Sequence, residues 1–314
     1  MKPQLTVQPD RSVLGALYDE VLASALAAIA RNDGESLHDL RVALRRLAVL
    51  VKQLVPAGKR RKAVSRDIQA LLQRSNQGRD AQVMQGWLKA QWPLLSDSER
   101  IGATLWQRQL RRQGQRPFRK KQLTTALQRL FSSVTRLSLP RSNVGTPLGV
   151  LVAQRLERQT RKLVALMSGD DASGQLHLIR LRAKTVRYLL LPFVDELESC
   201  AQAEAELRKI QALVGDWHDA LVRQQSLSIL LRREFAELSK PHKNRAEVKM
   251  EGLLPALPGL IALMRFSVRD QQRALGRAEQ NFLYSKAAHL ASLLTHAAGG
   301  MRNAATTMND SGTM

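Results

Sequence analysis

The chain has 314 residues, enough for one large domain or two of ordinary size with a sizeable core. Apolar residues make up 44 %, and Leu, Ala, Arg and Gln dominate while β-branched runs are scarce, which excludes a disordered chain and favours helix. Lys and Arg number 49 against 27 Asp and Glu, a formal charge of +22, and such a surplus opposes compaction unless a polyanion neutralises it.

Other classes fall away on similar grounds. Cys200 is the single cysteine, so neither an intrachain disulfide nor a cysteine metal cluster can form, and a reducing, cytoplasmic setting fits. The N-terminus carries Asp10, Asp19 and Glu20 where a signal peptide needs a basic start and an apolar run. No stretch reaches the roughly 18 apolar residues of a membrane span. The best candidate, 252–264, is short and broken by Pro255 and Pro258. A soluble protein without membrane insertion is expected.

The apolar periodicity predicts helices throughout. In the first half they cover 11–31, 36–55, 60–74, 79–92, 97–113 and 118–136. In the second half they cover 147–168, 175–191, 199–213, 217–239, 259–277 and 281–297. Breaks are expected at Asn32-Asp33-Gly34, Pro56-Ala57-Gly58 and Ser142-Asn143-Val144-Gly145, where turn formers cluster. The stretch 137–147 reads as a linker between a first lobe, about 10–136, and a second, about 147–298, in one domain spanning 1–314. Residues 299–314 are small and polar and read as a disordered tail. From Arg100 to Arg155 there is no acid but twelve Arg or Lys, which marks either a solvated basic face or part of an anion site.

Within this pattern lies an internal repeat. The segment Leu37-His38-Asp39-Leu40-Arg41-Val42-Ala43-Leu44-Arg45-Arg46-Leu47 is answered by Leu176-His177-Leu178-Ile179-Arg180-Leu181-Arg182-Ala183-Lys184-Thr185-Val186. The two histidines are 139 residues apart. A trailing element, Arg79-Asp80-Ala81, is answered by His218-Asp219-Ala220 at the same spacing. Two motifs in one register point to a duplicated helical unit.

At about 100° per residue, with His38 at zero, Arg41, Arg45 and Lys52 fall on a stripe about 60° wide that includes the histidine. Leu37, Leu40, Leu44, Leu47, Val51 and Leu54 fall between about 160° and 260°, the core stripe, and Arg46 sits apart near 80°. The second copy repeats this: His177, Arg180, Lys184 and Arg187 form the basic ridge, and Leu176, Ile179, Ala183, Val186 and Leu190 the apolar side. Arg41 and Arg180 therefore border the core without being inside it. Arg41 with Arg45, and Arg180 with Lys184, are like-charge i,i+4 pairs, each costing roughly 0.2–0.5 kcal/mol in an isolated helix. An anion lying along the ridge relieves that repulsion, and the Arg fork suits phosphate oxygens. Ser36 is the expected N-cap, with Asp39 three residues on, which puts His38 in the first turn. Asp80 and Asp219 are expected in a supporting role, as first-turn caps or as carboxylates that orient a motif arginine.

The doubled His-x-x-Arg-x-x-x-Arg/Lys helix, each copy with its trailing aspartate, resembles the CHAD family of histidine-containing α-helical domains. The resemblance covers about residues 10 to 298 and implies an all-α fold of two pseudo-symmetric bundles, about four core helices each, facing a central basic cavity. It implies binding of inorganic polyphosphate and, for many members, association with polyphosphate granules. Carried over by position, the contacts are His38, Arg41, Arg45, Arg46, His177, Arg180, Lys184 and Arg187, to which the ridge adds Lys52. The copies differ: Thr185 stands opposite Arg46, and Ala48 opposite Arg187. Members are often fused to a triphosphatase domain with a Glu-x-Glu-x-Lys strand. The nearest match here, Glu204-Ala205-Glu206-Leu207-Arg208, ends in Arg inside a helical run, so a stand-alone member is expected.

Catalysis is not expected. There is no phosphate-binding Gly-Lys-Ser/Thr loop and no His-Glu-x-x-His, and only Asp219 of Asp216-Trp217-His218-Asp219 has a like partner in the first copy. No metal site and no cofactor are expected. Nucleic acid is the alternative partner, through its phosphate backbone, although 4 % aromatic residues is poor provision for base stacking. The sequence leaves oligomeric state and polymer length preference open.

Overall fold

The computed structural model describes residues 12–31, 34–114, 120–134, 137, 148–238 and 254–310. Among them no strand occurs. The long helices are α1 (Ser12–Arg31), α2 (Gly34–Leu54), α3 (Lys59–Gln91), α4 (Asp97–Gly114), α5 (Lys120–Val134), α6 (Leu148–Ser168), α7 (Leu176–Leu190), α8 (Glu198–Leu238), α9 (Leu257–Asn281) and α10 (Ala287–Asp310). The expected linker 137–147 lies outside the described residues except for Leu137.

The described helices form two compact units. The first takes in residues 1–75, 118–212 and 278–314, the second 76–117 and 213–277, so each draws on both halves of the sequence. α3 and α8 give their first part to one unit and their remainder to the other.

In the first unit, α1, α2, the start of α3 and α5 bury Val21, Ala28, Leu40, Leu44, Leu47, Val51, Ile68, Leu123 and Leu130 against one another. α6 packs on α7 and α10. Gly149 lets α6 approach α10 closely, since a Cβ there would sit 2.7 Å from the carbonyl of Met301. α2 also packs against α7 and α6. The end of α2 is closed by Arg61, whose Nη1 donates to the Val55 carbonyl at 3.1 Å.

Burial follows the repeat. Leu40 and Ile179, Leu44 and Ala183, Leu47 and Val186, Leu50 and Leu189, and Val51 and Leu190 are pairs 139 apart, and every member is buried. The pattern continues into α3 and α8 with Val64 and Ala203, Ile68 and Leu207, and Leu71 and Ile210. The apolar stripes read from the sequence are thus the packed faces, with Leu37 only partly buried at the edge of its cluster.

Four differences from the sequence reading have physical reasons. The segments 60–74 and 79–92 are one helix, α3, and 199–213 and 217–239 are one helix, α8. The expected gaps, 75–78 and 214–216, each hold one glycine, Gly78 or Gly215, and an isolated glycine costs a helix only about 1 kcal/mol, which tertiary packing overrides. α10 starts at Ala287 and runs to Asp310, where a helix over 281–297 and a frayed tail were expected; Met301, on the far side of Gly299-Gly300, is buried. α2 begins at Gly34, so Ser36 lies inside its first turn and is buried instead of capping it.

The second unit is held by Trp106, Leu110, Ala81, Leu88, Leu227, Leu230, Leu260 and Leu263. Trp87 lies edge-on to Trp106 and donates from Nε1 to Asp270 at 2.8 Å, while the buried guanidinium of Arg223 stacks 4.5 Å from the Trp87 ring. Burial pushes the Arg223 guanidinium below its ordinary range, and the carboxylates of Asp270, Asp219 and Asp216 oppose that shift.

α4 and the start of α9 meet backbone to backbone at Gly102 and Gly259. A Cβ on Gly102 would run into the Ala256 carbonyl, and one on Gly259 into that of Glu99. Gly102→Ala is therefore expected to destabilise the protein by roughly 1–3 kcal/mol through overpacking. Gly215→Ala, which meets open space inside α8, is expected to stabilise it by up to about 1 kcal/mol. Opposite signs in denaturant unfolding check both.

Candidate functional site

Both motif helices belong to the first unit and touch each other there. Helices that are distant in sequence are thereby brought side by side. A polar chain fixes their flanks: Arg182 of α7 donates from Nη1 to Oε1 of Gln159 on α6 at 3.0 Å, and Gln159 donates from Nε2 to Oε1 of Gln53 on α2 at 3.0 Å. Gln159 is itself buried. Gln53 falls near 60° on the α2 wheel, so the basic ridge occupies the arc between this flank and the core stripe.

On α2, His38 and Arg45 are half-buried and Lys52 is exposed. Arg41 is only 4 % exposed. Its expected place was beside the core, not within it. With α1, α6 and α7 all packed on α2, more of the helix is covered than one apolar stripe requires. The early start of α2 moves His38 into the second turn, where the helix dipole contributes less. His177, by contrast, is the second residue of α7 and is exposed, and the Gln175 cap position makes no side-chain hydrogen bond. Arg180 and Lys184 are half-buried on the same side of α7.

Two of the carried-over arginines are held by carboxylates. Arg46 donates from Nη1 to Glu20 of α1 at 2.6 Å. Arg187 donates from Nε to Glu204 of α8 at 2.7 Å and from Nη1 to Gln211 at 3.3 Å. Glu204, 3 % exposed at its side chain, also receives Arg208 at 2.8 Å. Burial alone would raise the Glu204 carboxyl, but the hydrogen bonds and charges of Arg187 and Arg208 outweigh it and leave the group below its ordinary value. The sequence reading weighed Glu204 only as part of a failed strand motif and did not single out Glu20, Gln159 or Gln211.

Asp80 and Asp219 lie in the second unit, within the continuous α3 and α8, and so cannot cap a first turn. Asp219 sits one turn before Arg223 and favours that cation. Described cations of the acid-free stretch are divided between the units: Arg108, Arg111 and Arg112 are exposed on α4 in the second, Lys121 and Arg129 on α5 in the first. Among the described residues no three His, Cys, Asp or Glu side chains gather as a metal ion would need, and no helix is long and apolar enough to cross a membrane.

Comparison with known proteins adds the following. Residues 12–228, more than half of the chain, match the CHAD domain family. The crystal structure of the CHAD domain from the plant Ricinus communis is similar in fold at 20 % identity, with a TM-score of 0.52, covering 88 % of this chain and 96 % of that one. PptA from Streptomyces chartreusis aligns at 17 % identity over 83 % of this chain and 95 % of that one, with a TM-score of 0.45. No curated protein sequence matches.

Proposed function

Since this chain belongs to the CHAD domain family, we propose that it binds inorganic polyphosphate without catalysis, along the basic ridges of α2 and α7. CHAD domains are associated with polyphosphate in general and are binding domains, though some are fused to enzymes. The observation that carries the reading here is the adjacency of α2 and α7 within one unit, each bearing the same His-x-x-Arg-x-x-x-Arg/Lys ridge. The groups we assign to the polyanion are His38, Arg41, Arg45 and Lys52 on one helix and His177, Arg180 and Lys184 on the other.

The physical case is electrostatic. A single small anion needs only one end of a ridge, whereas a polymer with a charge on each monomer meets the cations turn after turn. The net charge of +22 leaves the fold with a repulsion that such a ligand removes. Duplication of an ancestral helical unit would account for the two ridges in one register, and a basic cavity between two pseudo-symmetric lobes is the arrangement in which both serve one ligand. Retention at polyphosphate granules in the cytoplasm follows from this binding.

The test is a titration with polyphosphate at several salt concentrations. Five permanent cations, Arg41, Arg45, Lys52, Arg180 and Lys184, each displace a counterion. By analogy with single-stranded nucleic acid, log K should fall by about 3.5 per decade of salt. A flat response would sink the ridge reading. Competition by RNA at physiological salt tests the alternative partner: RNA that displaces long polyphosphate at equal phosphate concentration would make nucleic acid the ligand.

A further inference from the structure

The duplication allows the chain to be compared with itself, position by position. Glu20 and Arg46 form an ion pair in the first copy. The residues 139 further on are Gln159 and Thr185, and neither carries charge. Arg187 and Glu204 form an ion pair in the second copy, extended by Gln211. The residues 139 earlier are Ala48, Ser65 and Leu72. In both cases the arginine and its carboxylate are present together in one copy and absent together from the other. The ridge groups behave differently: His38, Arg41 and Arg45 are answered by His177, Arg180 and Lys184.

From this we infer that Arg46 and Arg187 are halves of two copy-specific intramolecular ion pairs, with Glu20 and Glu204 as built-in counter-ions, and that neither arginine holds the polyanion. This rests on the polyphosphate reading above and sharpens it. The geometry argues the same way. Glu204 is enclosed and cannot swing out to water, so an Arg187 that left it for a phosphate would leave a buried carboxylate with the largely exposed Arg208 as its remaining cation. Two edges of the Arg187 fork are already committed, to Glu204 and Gln211. Arg46 gives Nη1 to Glu20. Glu20 also cancels the charge that Arg46 would lend to a ridge. The binding set is therefore matched between the helices, three positions against three, with Lys52 as the one addition.

The experiment exchanges each pair for what the other copy carries: Glu20→Gln with Arg46→Thr, and Arg187→Ala with Glu204→Ser. Both double variants are expected to bind polyphosphate within about threefold of wild type and to keep its salt slope. A ligand-contacting arginine would instead cost about tenfold or more in affinity and about 0.7 in slope. A loss of that size in a variant that melts like wild type would overturn the inference. Unfolding cycles on the four single variants give a second readout that needs no ligand. Each double variant should be more stable than the sum of its singles implies, and additive singles would also overturn the pairing. If wild type binds no polyphosphate, the functional reading falls by itself and the unfolding cycles still decide the ion pairs.

Discussion

Reversing one cation on each motif helix, with Arg45→Glu and Arg180→Glu together, should abolish polyphosphate binding by a protein that remains folded. Each substitution removes a charge-assisted hydrogen bond, about 1.5–3 kcal/mol, and places a negative charge where the polymer's charge must lie. Two such losses come to about 3–6 kcal/mol, or a weakening of roughly 10²–10⁴-fold, before repulsion is counted. Arg45 is the better probe than Arg41. The latter is 4 % exposed, and a carboxylate in its place would be buried beside a basic ridge with its packing lost, so failure to bind could simply report failure to fold. Arg45 and Arg180 are only half-buried and should tolerate the change. Thermal unfolding establishes that the variant is native, and a titration then reads affinity. Binding close to that of wild type would move the site elsewhere, with the exposed cations Lys121 and Arg129 of α5 as the next place to look.

The apolar stripes of α2 and α7 could be read from sequence because a 3.6-residue period places Leu40, Leu44, Leu47 and Val51 on one face, and burial obeys that geometry almost residue for residue. The repeat register was equally legible, and it extends beyond the motif to pairs such as Leu88 and Leu227. What periodicity could not supply was the third dimension around each helix. It saw the core side of α2 but not that α6 and α7 would also close on it, which is why Arg41 is more enclosed than its wheel position implied. Local rules also ended helices at 74 and 213 and restarted them at 79 and 217, whereas packing carries α3 and α8 straight through. The ion pairs were hidden for a related reason. Glu20 lies 26 residues from Arg46 and Glu204 lies 17 from Arg187, on neighbouring helices, beyond any i,i+4 rule. A signal for them did exist in the repeat, where each arginine and its acid change together, but it becomes readable only once the contacts are known.

Long polyphosphate should bind far more tightly than short, because both ridges act on one chain. α2 and α7 lie in the same unit and touch, so a polymer seated on one ridge has the other within reach. A short oligomer satisfies a single ridge of about three groups. A chain that spans both makes its second set of contacts intramolecularly, and effective concentration then raises affinity by about 10²–10⁴-fold with no new kind of contact. The alternative is two independent sites, each filled by a short oligomer with undiminished affinity, the duplication then being only ancestral. Calorimetry separates these. One long chain per protein, with affinity collapsing below a threshold length, is the expected result. Single-ridge variants give the matching control: Arg180→Glu alone should bring long-chain affinity down toward the short-chain value while leaving short-chain binding on the α2 ridge nearly intact. Should Arg180→Glu weaken long and short chains by the same factor, the two helices would form one compact site that a short oligomer already fills, and chain length would not be what this protein reads.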